Sequence, residues 1–238
     1  MRTHSFPSII LIALLATALL LAASCQGTPT PTAKSPTPAS TPQAFTLASP
    51  SASPQPTSTP LMIVQDGKKA PLYQLNPRNV DNSTLPVMRI DELHFTGSDP
   101  HFSADTWKLV VEGAGENPLT LTYADILARP VVSEVVLLIC PGVFADNAEW
   151  SGVPLSLILN EAKFKPEAAD VRFTSGDGYT FRIPLTTAMA DGAFLAYKVN
   201  GQPLPSEHGF PLRLVVRGEY GSACVKWLVN ITVLPRGS

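Results

Sequence analysis

Asn200-Gly201-Gln202-Pro203-Leu204-Pro205, His208-Gly209-Phe210-Pro211-Leu212-Arg213 and, beyond Gly218-Glu219-Tyr220-Gly221, Val225-Lys226-Trp227-Leu228 form the stretch on which the reading of this chain turns. It gathers a histidine, an arginine and a lysine among glycines. Glycine lets backbone N–H groups approach an oxyanion, and the cations supply charge-assisted hydrogen bonds, so the stretch suits an anionic ligand. The same residues also suit a plainer arrangement, two strands joined by a turn with the cations in solvent. Phe194 to Val199 reads as a strand that ends at the turn Asn200-Gly201, and Leu212 to Val216 and Val225 to Val233 read as further strands.

Working towards the N-terminus, Val171 to Thr174 and Tyr179 to Ile183 flank Ser175-Gly176-Asp177-Gly178, a two-strand unit with a glycine-rich turn, and Leu185 to Met189 follows as a short helix. Val153 to Phe164 carries Leu155, Ile158, Leu159 and Ala162 at helical spacing, with Pro154 near the start, where proline is tolerated. Val131 to Ile139 is rich in β-branched residues and predicts a buried strand delivering Cys140 at its end. Thr122 is placed to cap a short helix that stops before Pro130, and Thr106 to Glu112 alternates as a strand up to Gly113. Strands dominate, helices are short and no regular β-α-β period appears. The expected class is α+β with mixed sheets.

The first sixty residues are of another kind. Met1-Arg2-Thr3-His4 precedes an apolar run, Ile9 to Ala23, broken only by Thr17. That is short for a bilayer span of about 20 residues and suits the core of a signal peptide. Residues 1–24 therefore read as a signal peptide, and Ala22-Ala23-Ser24-Cys25 resembles a bacterial lipobox with Cys25 as the lipidated residue. A signal anchor, or cleavage after Ser24 leaving a free thiol, are the alternatives. Residues 25–60 read as a tether: of the 33 residues from Thr28 to Pro60, 23 are Pro, Ser or Thr and only Lys34 is charged, too little apolar surface to offset the entropy of ordering. One domain remains, 61–238. The expected localisation is extracytoplasmic, at a membrane through a lipid anchor.

Composition narrows the function. A formal net charge of −2 and 15% charged residues exclude a polybasic nucleic-acid binder. Three cysteines and four histidines leave no disulfide framework and no zinc-finger spacing. No G-x-S-x-G elbow, P-loop, G-x-G-x-x-G or H-E-x-x-H occurs. Cys140, in Leu138-Ile139-Cys140-Pro141-Gly142, stands out because a buried strand running into a turn can present a side chain to a site. A buried core thiol is the other reading.

Cys140, Trp150-Ser151-Gly152-Val153-Pro154-Leu155, and the blocks from Asn200 to Leu228 quoted above resemble, in order and spacing, the molybdopterin-binding domain of the sulfite oxidase family. The resemblance spans about Leu93 to Val233 and implies the sulfite-oxidase-type molybdopterin-binding fold. It implies a molybdenum–molybdopterin cofactor with Cys140 as thiolate ligand to the metal and catalytic centre. His208 and Arg213 are then the pair that holds the pterin phosphate. Cys224, Val225 and Lys226 match the segment that contacts the pterin, Asp177 an acid that hydrogen-bonds it, and Phe95-Thr96 the start of the family's Phe-x-Arg-Asn-His stretch. The implied chemistry is two-electron oxygen-atom transfer on a small molecule.

The departures matter as much. Gly97-Ser98-Asp99 replaces Arg-Asn-His, and Pro-Gly-Val-Phe after Cys140 lacks a basic pair, which disfavours sulfite as substrate. The pattern is closer to small single-domain bacterial members. No C-x-x-C-H haem motif occurs, so electrons are expected from a separate protein. Only Arg2 precedes the apolar run, whereas family members that cross a membrane usually travel folded behind two arginines. That leaves a rival expectation, an exported cofactor-free binding or structural module that keeps the fold. The resemblance also sets Cys224 beside the cofactor and hence near Cys140, where an oxidising compartment would allow them to pair.

Overall fold

The structure, a computed structural model, describes residues 62–65 and 68–238. The signal peptide, Cys25 and the whole of the tether lie outside the described residues. Strands β1 (Met62–Gln65) and β2 (Lys68–Pro71) form an antiparallel pair. β3 (Lys108–Gly113) and β4 (Leu119–Thr122) follow, then helix α1 (Tyr123–Leu127). The Thr122 hydroxyl accepts from the Asp125 N–H at 3.2 Å while the Asp125 carboxylate accepts from the Thr122 N–H at 2.8 Å, a reciprocal cap that starts the helix where the sequence places it.

β5 (Val132–Cys140) alternates between half-buried and exposed up to Val135 and is buried on both faces from Val136 to Ile139. Val136 and Leu138 pack with Trp150 and Phe194; Leu137 and Ile139 pack under Leu72, Tyr73 and Leu85 of the preceding segment. β6 (Phe144–Pro154) returns antiparallel, with Cys140 opposite Phe144. Then come α2 (Leu155–Ala162), β7 (Ala168–Ser175), β8 (Thr180–Pro184), α3 (Leu185–Ala188), β9 (Ala193–Val199), β10 (Gln202–Pro203), β11 (Arg213–Val216) and β12 (Leu228–Pro235).

Two five-stranded sheets carry the domain. One runs β4-β3-β12-β7-β8, antiparallel except for the parallel β12–β3 pair. The other runs β10-β9-β6-β5, with β11 also on the outer edge of β9. The main core joins residues of both sheets (Leu109, Phe173 and Ile231 from one, Val153, Leu195 and Leu214 from the other) with Ile158 and Leu159 of α2. This is the mixed-sheet α+β architecture that the alternation of signals predicts.

Three details depart from the sequence reading. β6 is not legible as a strand because its buried positions include Asp146 and Asn147, which bond to residues 82–94 rather than to apolar neighbours: Asn147 Nδ2 donates to the Leu85 carbonyl at 3.2 Å, and the Met88 N–H donates to the Asn147 carbonyl at 2.8 Å. The last strand begins at Leu228, not Val225, because Trp227 takes the left-handed region (φ 49°) and turns Lys226 out of strand geometry. β11 and β12 lie in different sheets, so the pairing of two strands with solvated cations is excluded; Arg213 is only 6% exposed.

Candidate functional site

The end of β5, the start of β6, the loop 93–97, the turn 175–179 and the segments around 208 and 221–227 enclose a cavity of about 400 Å³. It is lined by all nine site residues the sequence singles out within the domain: Phe95, Thr96, Cys140, Asp177, His208, Arg213, Cys224, Val225 and Lys226. Cys140 is half-buried at its rim and Cys224 buried, and both are free thiols.

One wall is cationic. Arg213 enters from β11 with its guanidinium 4.4 Å above the Trp150 ring; Nη1 donates to the His208 carbonyl at 3.0 Å and Nη2 to the Cys224 carbonyl at 3.4 Å. Lys226 donates to the carbonyls of Thr96 and, at 2.8 Å, Glu207, and its ammonium sits 4.1 Å from the Trp227 ring centre. Thr96 thus contributes its carbonyl to the holding of Lys226. Phe95 meets the His208 ring edge-on at 5.9 Å. The Trp227 Nε1–H donates to the Ser206 carbonyl at 2.7 Å, which fixes the indole despite its left-handed backbone.

Burial shifts all three groups of this wall. Burial, then the charges of Arg213 and Lys226, pushes His208 down to about 4. Burial, then Arg213, pushes Lys226 down to about 7, against the pull of Asp177, Asp99 and Glu207. Burial also lowers Arg213, whose Nε is buried without a hydrogen-bond partner among the described residues.

Between the walls, Gly97 (φ 85°) forms part of the cavity surface: a Cβ there would come within 3.1 Å of both Asp177 Oδ2 and the Trp227 ring. Asp177 is held by accepting the Tyr179 N–H at 3.0 Å. Val225 is buried and fixed by its carbonyl, which accepts from the Leu214 N–H at 2.8 Å.

The wall beside Cys140 is acidic and aromatic. Asp146 is 3% exposed and accepts from the His94 N–H at 2.7 Å, with its other oxygen 2.8 Å from His94 Nδ1. The His94 ring stacks on Phe144 at 4.9 Å, and all three line the cavity. Burial raises the Cys140 thiol above its ordinary range and the Asp146 charge raises it further. Sequence reasoning passed over His94 and Asp146. The available signal was position: His94 directly precedes Phe95-Thr96, and Asp146 falls on the strand returning from Cys140.

Residues 96–238 match the family of the oxidoreductase molybdopterin-binding domain, and the chain belongs to that family. It is 36% identical over 158 residues to the uncharacterized oxidoreductase YuiH of Bacillus subtilis (strain 168), covering 65% of this chain and 76% of that one. It is 31% identical over 213 residues to the mitochondrial sulfite oxidase of Homo sapiens, covering 73% of this chain but 39% of the human one. The chain therefore spans about two fifths of the sulfite oxidase it resembles. Among solved structures, the sulfane dehydrogenase SoxCD from Paracoccus pantotrophus superposes with a TM-score of 0.60 at 22% identity, over 81% of this chain and 57% of that one, which fixes the fold as the sulfite-oxidase type.

Proposed function

We propose that the chain is an extracytoplasmic molybdopterin-dependent oxidoreductase that transfers an oxygen atom to or from a small molecule at a molybdenum held by Cys140. The observation that carries this reading is the division of one cavity into a cationic wall and a single half-buried thiol. The residues fit the cofactor. Two cations, Arg213 with a buried Nε unpartnered among the described residues and Lys226, together with the His208 imidazole, supply the charge and donors that a phosphate dianion needs. His208, Arg213 and Lys226 would hold that phosphate. Asp177, Cys224, Val225 and the carbonyl of Thr96 would border the pterin, with Phe95 beside His208.

Burial and Asp146 raise the Cys140 thiol, and a bound metal cation would favour its thiolate. Among the described residues no group of three or more His, Cys, Asp or Glu side chains is arranged to hold a metal ion, so the remaining ligands would come from the cofactor itself. When bound, the cofactor supplies the two-electron oxygen-atom chemistry; the protein binds it, orients it and sets the charge around the open side.

The apolar run before Cys25 and the Pro/Ser/Thr-rich tether support a lipid-anchored location, and electrons would come from a separate protein. The single Arg2 ahead of that run supports the rival, a cofactor-free exported module. Turnover driven by reduced viologen with a panel of small oxo compounds distinguishes them. Activity in the native protein that vanishes in Cys140→Ser, with the fold retained, is expected; undiminished activity in that variant overturns the role given to Cys140.

A further inference from the structure

We infer that the Asp146–His94 pair is a specificity determinant of the Cys140 end of the cavity, admitting neutral or cationic substrates and turning away oxyanions. The inference rests on the oxidoreductase reading for what a substrate would do there, but its physical content stands on the cavity alone.

Both oxygens of Asp146 are engaged by one residue, the backbone N–H and the Nδ1 of His94. An acid that accepts two such contacts is anchored at the edge of the ring, and one face of the ring stacks on Phe144. Nε2 of His94 has no partner among the described residues, which leaves it available to a molecule in the cavity. Phe144 faces Cys140 across the β5–β6 pair, and Pro141, Leu93 and Tyr179 also line the cavity, together with Arg213 and Lys226.

The cavity's two strong cations do not serve the same end. The Arg213 guanidinium is committed over Trp150 and to the carbonyls of His208 and Cys224, and Lys226 to those of Thr96 and Glu207. Burial raises the Asp146 carboxyl, the His94 contacts and Arg213 pull it back, and after burial the Asp146 charge is what acts on the Cys140 thiol. A phosphate bound between the cations would neutralise them further. What a substrate approaching Cys140 meets is then a carboxylate, an imidazole and aromatic faces, which repel a second anion and suit an uncharged or positively charged hydrogen-bonding molecule.

The test uses Cys140 as its own probe, in the full chain made in cells that lack the cofactor, with saturating inorganic phosphate added to neutralise the cationic wall and folding checked by near-UV circular dichroism. Cys140 is alkylated with iodoacetamide and with iodoacetate, and labelling at that residue is followed by peptide mass spectrometry. The ratio of the two rates cancels thiol ionisation and reports the charge met by the incoming reagent. Folded wild-type chain is expected to favour the neutral reagent at least about threefold more than the same chain in urea, the size of one unscreened charge within several ångströms. Asp146→Asn, which keeps an acceptor for the His94 N–H, is expected to remove most of that excess, and His94→Gln to retain it. A folded ratio equal to the unfolded one overturns the inference, and needs no variant to fold. An excess unchanged in a folded Asp146→Asn also overturns it. Neither result depends on metal or turnover, so a chain without molybdenum would sink the proposed function and leave this selectivity standing.

Discussion

Lys226→Met removes the ammonium from the cationic wall, and with it the contact over the Trp227 ring, while keeping an unbranched stem of similar length. In the cofactor-free chain the folded state holds Lys226 at about 7, against 10.5 for an unhindered lysine. Between those values the unfolded chain keeps a proton at residue 226 that the folded chain has released, so stability rises with pH across that window and the lysine is a burden below it. Taken in full the shift would amount to ~5 kcal/mol, but part of the side chain faces solvent, and screening brings the expected contribution to roughly 2 kcal/mol. For a domain of this size that is a difference of about 4–8 °C in Tm. The assay is thermal unfolding of the cofactor-free chain and Lys226→Met at pH 6.5 and 9.5. Other titrating groups, Cys140 and Cys224 among them, act alike in both proteins and cancel. Wild type should gain on the variant by several degrees at the higher pH, while the variant loses cofactor retention. Parallel pH dependences would refute the claim that this lysine is held charged at a cost for the sake of an anion.

Gly152 sits at the irregularity where β6 meets β9, and a Cβ there would lie 2.0 Å from the Leu195 carbonyl oxygen and 2.5 Å from the Ala196 Cα. Since both obstacles are backbone, Gly152→Ala should cost at least about 3 kcal/mol, read as a lowered urea midpoint with an unchanged slope. Thr122→Ala deletes the hydroxyl of the reciprocal cap on α1 and should cost about 1 kcal/mol in the same assay without altering cofactor content. Lowering the pH from 6.5 to 4 should destabilise the cofactor-free chain through His208, which the unfolded chain protonates first; His208→Gln should blunt that part of the loss.

Much of the fold was legible because local signals and tertiary packing agree. The cap at Thr122, the helical spacing of Leu155, Ile158, Leu159 and Ala162, and the turn Ser175-Gly176-Asp177-Gly178 each carry their own cause in adjacent residues. β6 did not, because the burial of Asp146 and Asn147 depends on partners more than fifty residues away in the chain. The last strand starts at Leu228 and not at Val225 for a related reason: Lys226 and Trp227 are placed by contacts to Thr96, Glu207 and Ser206, which no local pattern encodes. In the site, the cations and Cys140 could be picked out by the resemblance they carry. His94 and Asp146 belong to no such pattern and acquire meaning only when the fold sets them against Cys140.

The central claim is that this cavity holds a molybdenum cofactor in the living cell. Its most direct test is the molybdenum content of the protein purified from its own membrane fraction, measured by elemental analysis. The account predicts close to one metal per chain, lost in Cys140→Ser. Protein free of molybdenum, from cells that demonstrably make the cofactor, would contradict it.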